Sequence, residues 1–126
     1  MADFSYKLDK RLIVIKAIFQ GRQGKCDTDL ILDTGASLTI LDPFVIKELG
    51  YSEKDQSAPS TVQSPVGREK GFKIRLPLIE CFDKKIENFE VACHALGLQN
   101  IGGLLGMNFL EQFDFCIHPQ QCVIRI

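Results

Sequence analysis

The sequence predicts an all-β fold, either a closed barrel or a sandwich, that carries two short helices. Runs rich in β-branched residues recur along the 126-residue chain, and residues with turn chemistry separate them. Helical segments are few and do not alternate regularly with the strands, which argues against a parallel sheet covered by helices. A chain of this length can bury one sizeable core, so we expect a single domain over residues 1–126.

The first half of the chain is predicted to hold a long hairpin followed by a capped helix. Residues 11–20 are rich in Ile, Val and Phe and predict a strand, and residues 25–32 predict the strand that returns after a glycine-containing turn. Residues 37–41 continue extended. Asp42 and Pro43 are typical of a helix N-cap and of the first helical position, so a short helix begins there.

The second half of the chain is predicted to begin with another hairpin. Residues 61–76 predict it, because a Ser-Pro-Val-Gly turn separates two strand-like segments. Residues 85–95 predict a further strand, and residues 107–112 a short helix. Residues 113–117 and 122–126 predict a final pair of strands around a polar turn.

The composition argues against several classes of function. The net charge is −1 and the basic residues are scattered, so the chain offers no basic field to nucleic acid. It contains neither the apolar core of a signal peptide nor a run of about 18 apolar residues that could span a membrane. We therefore expect a cytoplasmic protein with no membrane association.

The five cysteines are irregularly spaced and form no CxxC pair, so we expect reduced thiols. Cys116 and Cys122 flank a predicted hairpin turn, and a disulfide between them is the alternative. Together with His118 they would offer a metal ion only three ligands, and Cys93-His94 elsewhere would have to supply a fourth. We expect no metal and no other cofactor.

The most informative segment is Asp-Thr-Gly-Ala at residues 33–36, directly after the predicted strand 25–32. Asp33 follows two apolar residues and precedes a tight turn. A carboxylate in such a place is costly unless it is hydrogen-bonded, paired or used in chemistry. Asp-Thr-Gly occurs once in the chain. A site that needs two such carboxylates would therefore take the second from another copy of the chain.

A second motif, Leu104-Leu105-Gly106, precedes the second predicted helix, and the hairpin 61–76 lies between the two motifs. This order of motifs resembles that of the retropepsin-like aspartic proteases, which are the retroviral enzymes and their cellular and bacterial single-lobe relatives. The resemblance extends over residues 11–126. It implies a closed acid-protease barrel whose hairpin is the flap that covers a bound peptide.

The resemblance also implies roles for individual residues. Asp33 would be the catalytic aspartate, the Thr34 hydroxyl would bond across a two-fold axis to the partner's loop, and Gly35 would leave room for substrate backbone. The residues that support the loop would be Ala36, Leu104, Leu105 and Gly106. The substrate-covering part of the flap would include Val62, Gln63, Ser64, Pro65, Val66 and Gly67.

Three positions depart from one or another branch of these proteases. Ala36 matches the retroviral enzymes, whereas two-lobed pepsins commonly have a Ser that would favour the ionised carboxylate; its absence predicts activity toward mildly acidic or near-neutral pH. Ser37 and Met107 stand where many retroviral enzymes have an Asp–Arg ion pair, which is missing here. For residues 122–126 two alternatives stay open, a strand of an intersubunit sheet and an internal edge strand.

These observations predict a homodimeric aspartic endopeptidase that acts on peptide or protein substrates. Two Asp33 carboxylates close together would share one proton, so that the pair would supply both the base and the acid of peptide hydrolysis. The alternative is a protein of the same fold that dimerises or binds peptides with little or no turnover.

Overall fold

The computed structural model describes residues 1–64 and 67–126. Pro65 and Val66, predicted to lie at the tip of the flap, are outside the described residues, as are the side chains of Gln63 and Ser64. The described residues form eleven β-strands and two short α-helices, which confirms the predicted mainly β architecture.

The strands are, in chain order, β1 (Asp3–Ser5), β2 (Lys7–Asp9), β3 (Leu12–Gly21), β4 (Gly24–Leu32), β5 (Ile40–Leu41), β6 (Ala58–Ser64), β7 (Gly67–Cys81), β8 (Lys84–Cys93), β9 (Gly103–Leu105), β10 (Cys116–His118) and β11 (Val123–Arg125). The helices are α1 (Pro43–Glu48) and α2 (Met107–Leu110), and a single 3-10 turn spans Glu53–Asp55.

Eight strands form one sheet that closes on itself. They are hydrogen-bonded in the order β2-β3-β4-β9-β5-β8-β7-β6. A further antiparallel pairing joins β3 to β7, with Phe19 opposite Ile79. Because β3 and β7 are not neighbours in that order, this pairing turns the strands between them into a ring. The ring confirms the closed fold that the sequence predicts.

The main hydrophobic core contains buried side chains from the strands of this ring, from both helices and from the chain ends. On β3 the buried Ala17 and Phe19 alternate with the exposed Lys16 and Gln20, as expected for a strand with one face on the core. Phe109 of α2 is also fully buried and contributes to the same core. Burying a side chain such as Phe19 stabilises the fold by about 2 kcal/mol.

Helix α1 begins as the sequence predicts. The Asp42 carboxylate accepts a hydrogen bond from the Phe44 N–H (3.3 Å), and Pro43 occupies the first turn, where its missing N–H costs nothing. Val45 and Ile46 face the core and are buried. Their burial fixes the segment that follows β5, and with it the position of that strand.

The two ends of the chain form a separate three-stranded sheet in the order β1-β11-β10. Ile124 of β11 lies between Phe4 and Ile117. Arg125 donates two hydrogen bonds to the Asp3 carboxylate at 2.7 and 3.1 Å. Strand β11 is therefore the central strand of a sheet within one chain, and both of its edges are already occupied.

The five thiols are free. Cys116 lies opposite Arg125 rather than Cys122, so the alternative of a disulfide between those two cysteines is wrong for this structure. Residues 1–64 and 67–126 contain no group of three or more Cys, His, Asp or Glu side chains arranged to hold a metal ion. Within the same ranges no helix is long and apolar enough to cross a membrane.

Candidate active site

Asp33 is the first residue after β4, and the adjoining strand β9 fixes its backbone. Its N–H donates to the Leu105 carbonyl oxygen at 3.0 Å. The Gly35 N–H donates to its Oδ1 at 2.9 Å. Among the described residues this is the one hydrogen bond that the half-buried carboxylate accepts, and none of them donates to Oδ2. That oxygen is available to a water molecule or to a second carboxyl group.

The loop that follows Asp33 is a tight turn attached to the start of α2. The turn is closed by the Ala36 N–H, which donates to the Asp33 carbonyl at 3.2 Å. The Met107 N–H donates to the Ala36 carbonyl at 2.7 Å, and the Asn108 N–H donates to the Ser37 carbonyl at 3.1 Å. These are N–H groups of the first helical turn, which have no partner inside a helix. The helix start therefore holds the loop in place.

Two glycines allow the backbone of residues 103–106 to lie close to the backbone of residues 36–40. A Cβ atom on Gly106 would lie 2.8 Å from the Ala36 carbonyl oxygen and 2.7 Å from the Leu38 carbonyl carbon. A Cβ atom on Gly103 would collide with the Ile40 carbonyl oxygen. Both obstacles are backbone atoms, which a rotamer change cannot move. Glycine at these positions is thus a packing requirement of the site.

Leu104 and Leu105 support the site from opposite faces of β9. This strand runs parallel to β4, with Leu104 beside Ile31 and Leu105 beside Leu32. Leu105 is fully buried in the main core. Leu104 is half-buried in a second, smaller cluster that includes Val14 and Ile31. The pair therefore anchors the strand end that presents Asp33.

A buried network that the sequence did not predict joins the loop to α2. The Thr39 hydroxyl and the Thr39 N–H both donate to Asn108 Oδ1, at 2.8 and 2.9 Å. The Gly106 N–H donates to the Thr39 hydroxyl at 3.0 Å, and Asn108 Nδ2 donates to the Glu90 carbonyl at 2.8 Å. Thr39 is 0% exposed. The sequence signal that could have predicted this network is Thr39 itself, the one hydroxyl residue in the otherwise apolar run 38–41. A hydroxyl group buried in such a run requires a hydrogen-bond partner.

The outer surface of the loop is open. Thr34, Gly35 and Ser37 are exposed. Within residues 1–64 and 67–126 neither the Thr34 hydroxyl nor the Ser37 hydroxyl takes part in a hydrogen bond. The loop thus presents two free hydroxyl groups on either side of its glycine.

The predicted hairpin is present as the antiparallel pair β6–β7. Ser64 is opposite Gly67, as the predicted turn at 64–67 requires. A cavity of about 400 Å³ separates β6 from the loop, and both Val62 and Gly35 line it. The structure therefore brings the Val62 part of the hairpin to the loop that carries Asp33.

Neither histidine belongs to this loop. His94 follows β8 and is buried, and its Nε2 lies 3.0 Å from the Ser60 hydroxyl of β6. Burial lowers the pKa of His94, while the nearby Glu69 acts in the opposite direction. The contact joins the hairpin to the end of β8. His118 belongs to β10, in the sheet formed by the chain ends.

Comparison with known proteins identifies the family. Residues 20–112 match the family described as "gag-polyprotein putative aspartyl protease". The chain belongs to the retropepsin-like aspartyl protease family. The match includes Asp33, Leu104, Leu105 and Gly106, the residues that carry the resemblance in the sequence.

Two solved structures share this retropepsin-like fold. A retropepsin-like aspartic protease from Rickettsia conorii superposes with a TM-score of 0.73 at 24% identity, over 98% of this chain and 88% of that one. The EIAV protease, in complex with the inhibitor HBY-793, superposes with a TM-score of 0.63 at 18% identity, over 86% of this chain and 93% of that one.

One curated protein matches part of the chain. An asparagine–tRNA ligase from Mycoplasma mycoides is 30% identical over 89 residues, which are 65% of this chain and 20% of the ligase. The chain thus spans about a fifth of the length of that relative.

Proposed function

We propose that this retropepsin-like protein is a homodimeric aspartic endopeptidase to which each chain contributes one Asp33. The observation that carries the proposal is the state of the Asp33 carboxylate. One of its oxygens accepts the Gly35 N–H, and the other has no donor in the described chain. The loop that holds it is fixed from behind by α2 and exposed in front. This is the arrangement that a positioned acid or base requires.

The need for a dimer follows from the number of carboxylates. Peptide hydrolysis needs a base that activates water and an acid that protonates the substrate, and the chain has one Asp-Thr-Gly. A two-fold axis beside the exposed loop would bring two Asp33 side chains together. The free Thr34 hydroxyl is available to bond to the partner's loop. Both edges of β11 are occupied, so this pairing does not use that strand.

The two carboxyl groups would act as a proton-sharing pair. Two carboxylates a few ångströms apart do not both ionise readily, so the pair holds one proton over a range of pH. The ionised member takes a proton from the bound water as the water oxygen bonds to the peptide carbonyl carbon. The protonated member gives its proton to the carbonyl oxygen. The tetrahedral intermediate then collapses. The pair gives its proton to the nitrogen, the C–N bond breaks and the amine leaves, while one hydroxyl of the intermediate returns its proton to the pair and becomes the new carbonyl oxygen.

The hairpin would form the roof of the substrate site. Val62 of β6 and Gly35 of the loop line opposite sides of one cavity. A peptide that lies between them would pass the Asp33 carboxyl group. The predicted flap residues Gln63, Ser64 and Gly67 continue the hairpin beyond Val62, and in this proposal they extend over the peptide.

The experiment compares the wild-type protein with Asp33→Asn on a diverse peptide library, with the molecular mass measured in parallel. Asp27→Asn is the matched control, because Asp27 belongs to the same strand but is exposed and far from the loop. We expect cleavage by a dimeric wild type and by Asp27→Asn, and a loss of about a thousandfold or more in Asp33→Asn. Cleavage by Asp33→Asn at the wild-type rate would contradict the proposal. Peptide binding without cleavage by the wild type would favour the binding-protein alternative.

A further inference from the structure

A row of four side chains crosses the sheet beside the Asp33 loop. Ile40 of β5 is paired with Ala92 of β8, Ala92 with Lys73 of β7, and Lys73 with Ala58 of β6. Directly paired residues project from the same face of a sheet, so the four side chains lie side by side. Small alanine side chains flank Lys73 on both sides. They leave open space around the lysine.

That space belongs to the cavity of about 400 Å³ between the loop and the hairpin. The cavity begins at Gly35, whose N–H holds the Asp33 carboxylate. Ser37 and Ser60 also line it, and the Ser60 hydroxyl lies 3.0 Å from His94 Nε2. Among the described residues that line it, Lys73 alone carries a charge. The cavity is therefore a concave site with one cation, next to the proposed catalytic carboxylate.

Lys73 differs from the cation that follows it on the same face of β7. Arg75 lies 3.7 Å from the Glu90 carboxylate. Lys73 is half-buried, and no carboxylate of the described residues lies within 4.0 Å of its ammonium group. A partly desolvated cation is stabilised by an anion that binds beside it. The Ser37 hydroxyl is also free and can donate to the same anion.

We propose that this cavity binds an acidic side chain of the peptide substrate and that Lys73 is the residue that selects it. The proposal rests on the proposed protease function and specifies its substrate class. The selected residue would be Asp or Glu at a position near the scissile bond, because the cavity adjoins the loop that carries Asp33. Lys73 acts on binding and not on the chemical step.

The first test measures kcat/KM for acetylated, amidated peptides in which one position at a time is Glu, Gln or Lys. We expect the wild type to prefer Glu over Gln at one position by about fivefold, the size of a partly exposed ion pair. Lys73→Glu should reverse the preference toward Lys, and Lys73→Arg should keep it. Lys25→Glu is the matched control because Lys25 is exposed at the opposite end of β4, and it should keep the wild-type preference. Equal rates for Glu and Gln peptides at every position would overturn the proposal.

The second test separates this proposal from the proposed protease function. Binding of Glu and Gln peptides to Asp33→Asn, alone and combined with Lys73→Glu, is measured by fluorescence anisotropy. We expect about fivefold tighter binding of the Glu peptide that is lost with Lys73. That result without any wild-type cleavage would contradict the protease function and still support selection by Lys73. If the preference for the Glu peptide is the same with and without Lys73→Glu, selection by Lys73 is overturned, even if the wild type is an active protease.

Two further arms complete the design. Peptides with a free C-terminal carboxylate are compared with the amidated ones, and a preference confined to the free terminus would overturn recognition of a side chain. Thermal melting is recorded for each Lys73 variant. Should Lys73→Glu fail to fold, Lys73→Gln replaces it and is expected to abolish the preference without reversing it.

Discussion

Replacing Thr39 with Val should destabilise the protein because it removes a buried hydroxyl group while nearly preserving the shape of the side chain. Thr39 is 0% exposed, and its hydroxyl donates to Asn108 Oδ1 at 2.8 Å and accepts the Gly106 N–H at 3.0 Å. The Asn108 oxygen would keep its bond from the Thr39 N–H at 2.9 Å. The Gly106 N–H, in contrast, would be buried without an acceptor.

The expected loss of stability follows from these two bonds. The lost hydroxyl-to-amide bond is worth about 1 kcal/mol, and an orphaned buried donor costs about 1–3 kcal/mol, so the free energy of unfolding should fall by about 2–4 kcal/mol. Because the same network holds the loop of Asp33 to α2, the kcat of the proposed peptidase should fall as well. Thr39→Ser retains the hydroxyl and should recover most of the loss.

The assay is equilibrium unfolding in urea at one protein concentration, since dimerisation adds to apparent stability. Thr61→Val is the control for stability: Thr61 is exposed on the hairpin, and the change should stay within about 0.5 kcal/mol. A Thr39→Val protein as stable as the wild type would refute the reasoning. Equal losses in Thr39→Val and Thr39→Ser would show that the hydroxyl is not the cause.

Three other predictions concern the core, the thiols and pH. Gly103→Ala should cost about 3 kcal/mol or more in urea unfolding, because the new methyl group meets a backbone carbonyl oxygen that cannot rotate away; a stability within experimental error of the wild type would contradict this packing. Burial raises the pKa of the Cys81 thiol to about 12, so iodoacetamide at pH 7.5 should label the exposed Cys116 well before Cys81. The labelling of each cysteine is followed by mass spectrometry, and equal labelling rates would contradict this prediction. Burial lowers the pKa of His94, so below about pH 6.5 the unfolded chain binds more protons than the folded chain, and stability should fall as the pH falls. The melting temperature of His94→Gln should decline less steeply with falling pH than that of the wild type. Equal declines in the two proteins would exclude this contribution of His94.

The proposed catalytic pair makes one more expectation measurable. Ala36 contributes only a methyl group where a hydroxyl would favour the ionised carboxylate. The pH–rate profile should therefore extend toward mildly acidic or near-neutral pH, and Ala36→Ser should shift its basic limb to lower pH, because the pair would lose its shared proton sooner. Activity confined to strongly acidic pH in the wild type would contradict the prediction.

Much of the fold could be predicted because its signals are local. The start of α1 could be predicted from Asp42 and Pro43, because side-chain capping and the fixed φ angle of proline both act within one helical turn. Strands β3 and β4 were readable from their β-branched runs. Strands β1 and β2 were not predicted, because three residues are too few to show an alternating pattern.

What the sequence by itself determined is the identity of the chemical group and its immediate surroundings. Asp33 ends an apolar strand and enters a glycine turn, and the local chain dictates both. The single Asp-Thr-Gly is the basis for the proposal that two copies form the unit of function. The resemblance carried by Leu104, Leu105 and Gly106 indicates the family from the sequence alone.

Only the tertiary structure decided what surrounds that group. Thr39 meets Asn108 across 69 residues of sequence, and Lys73 reaches the cavity beside Gly35 through the pairing of four strands. The folded chain also places β11 at the centre of its own sheet. Such contacts depend on strand register and ring closure, which are set by the packing of the whole core. The local hydrophobic pattern of a segment does not predict which distant residues it will contact.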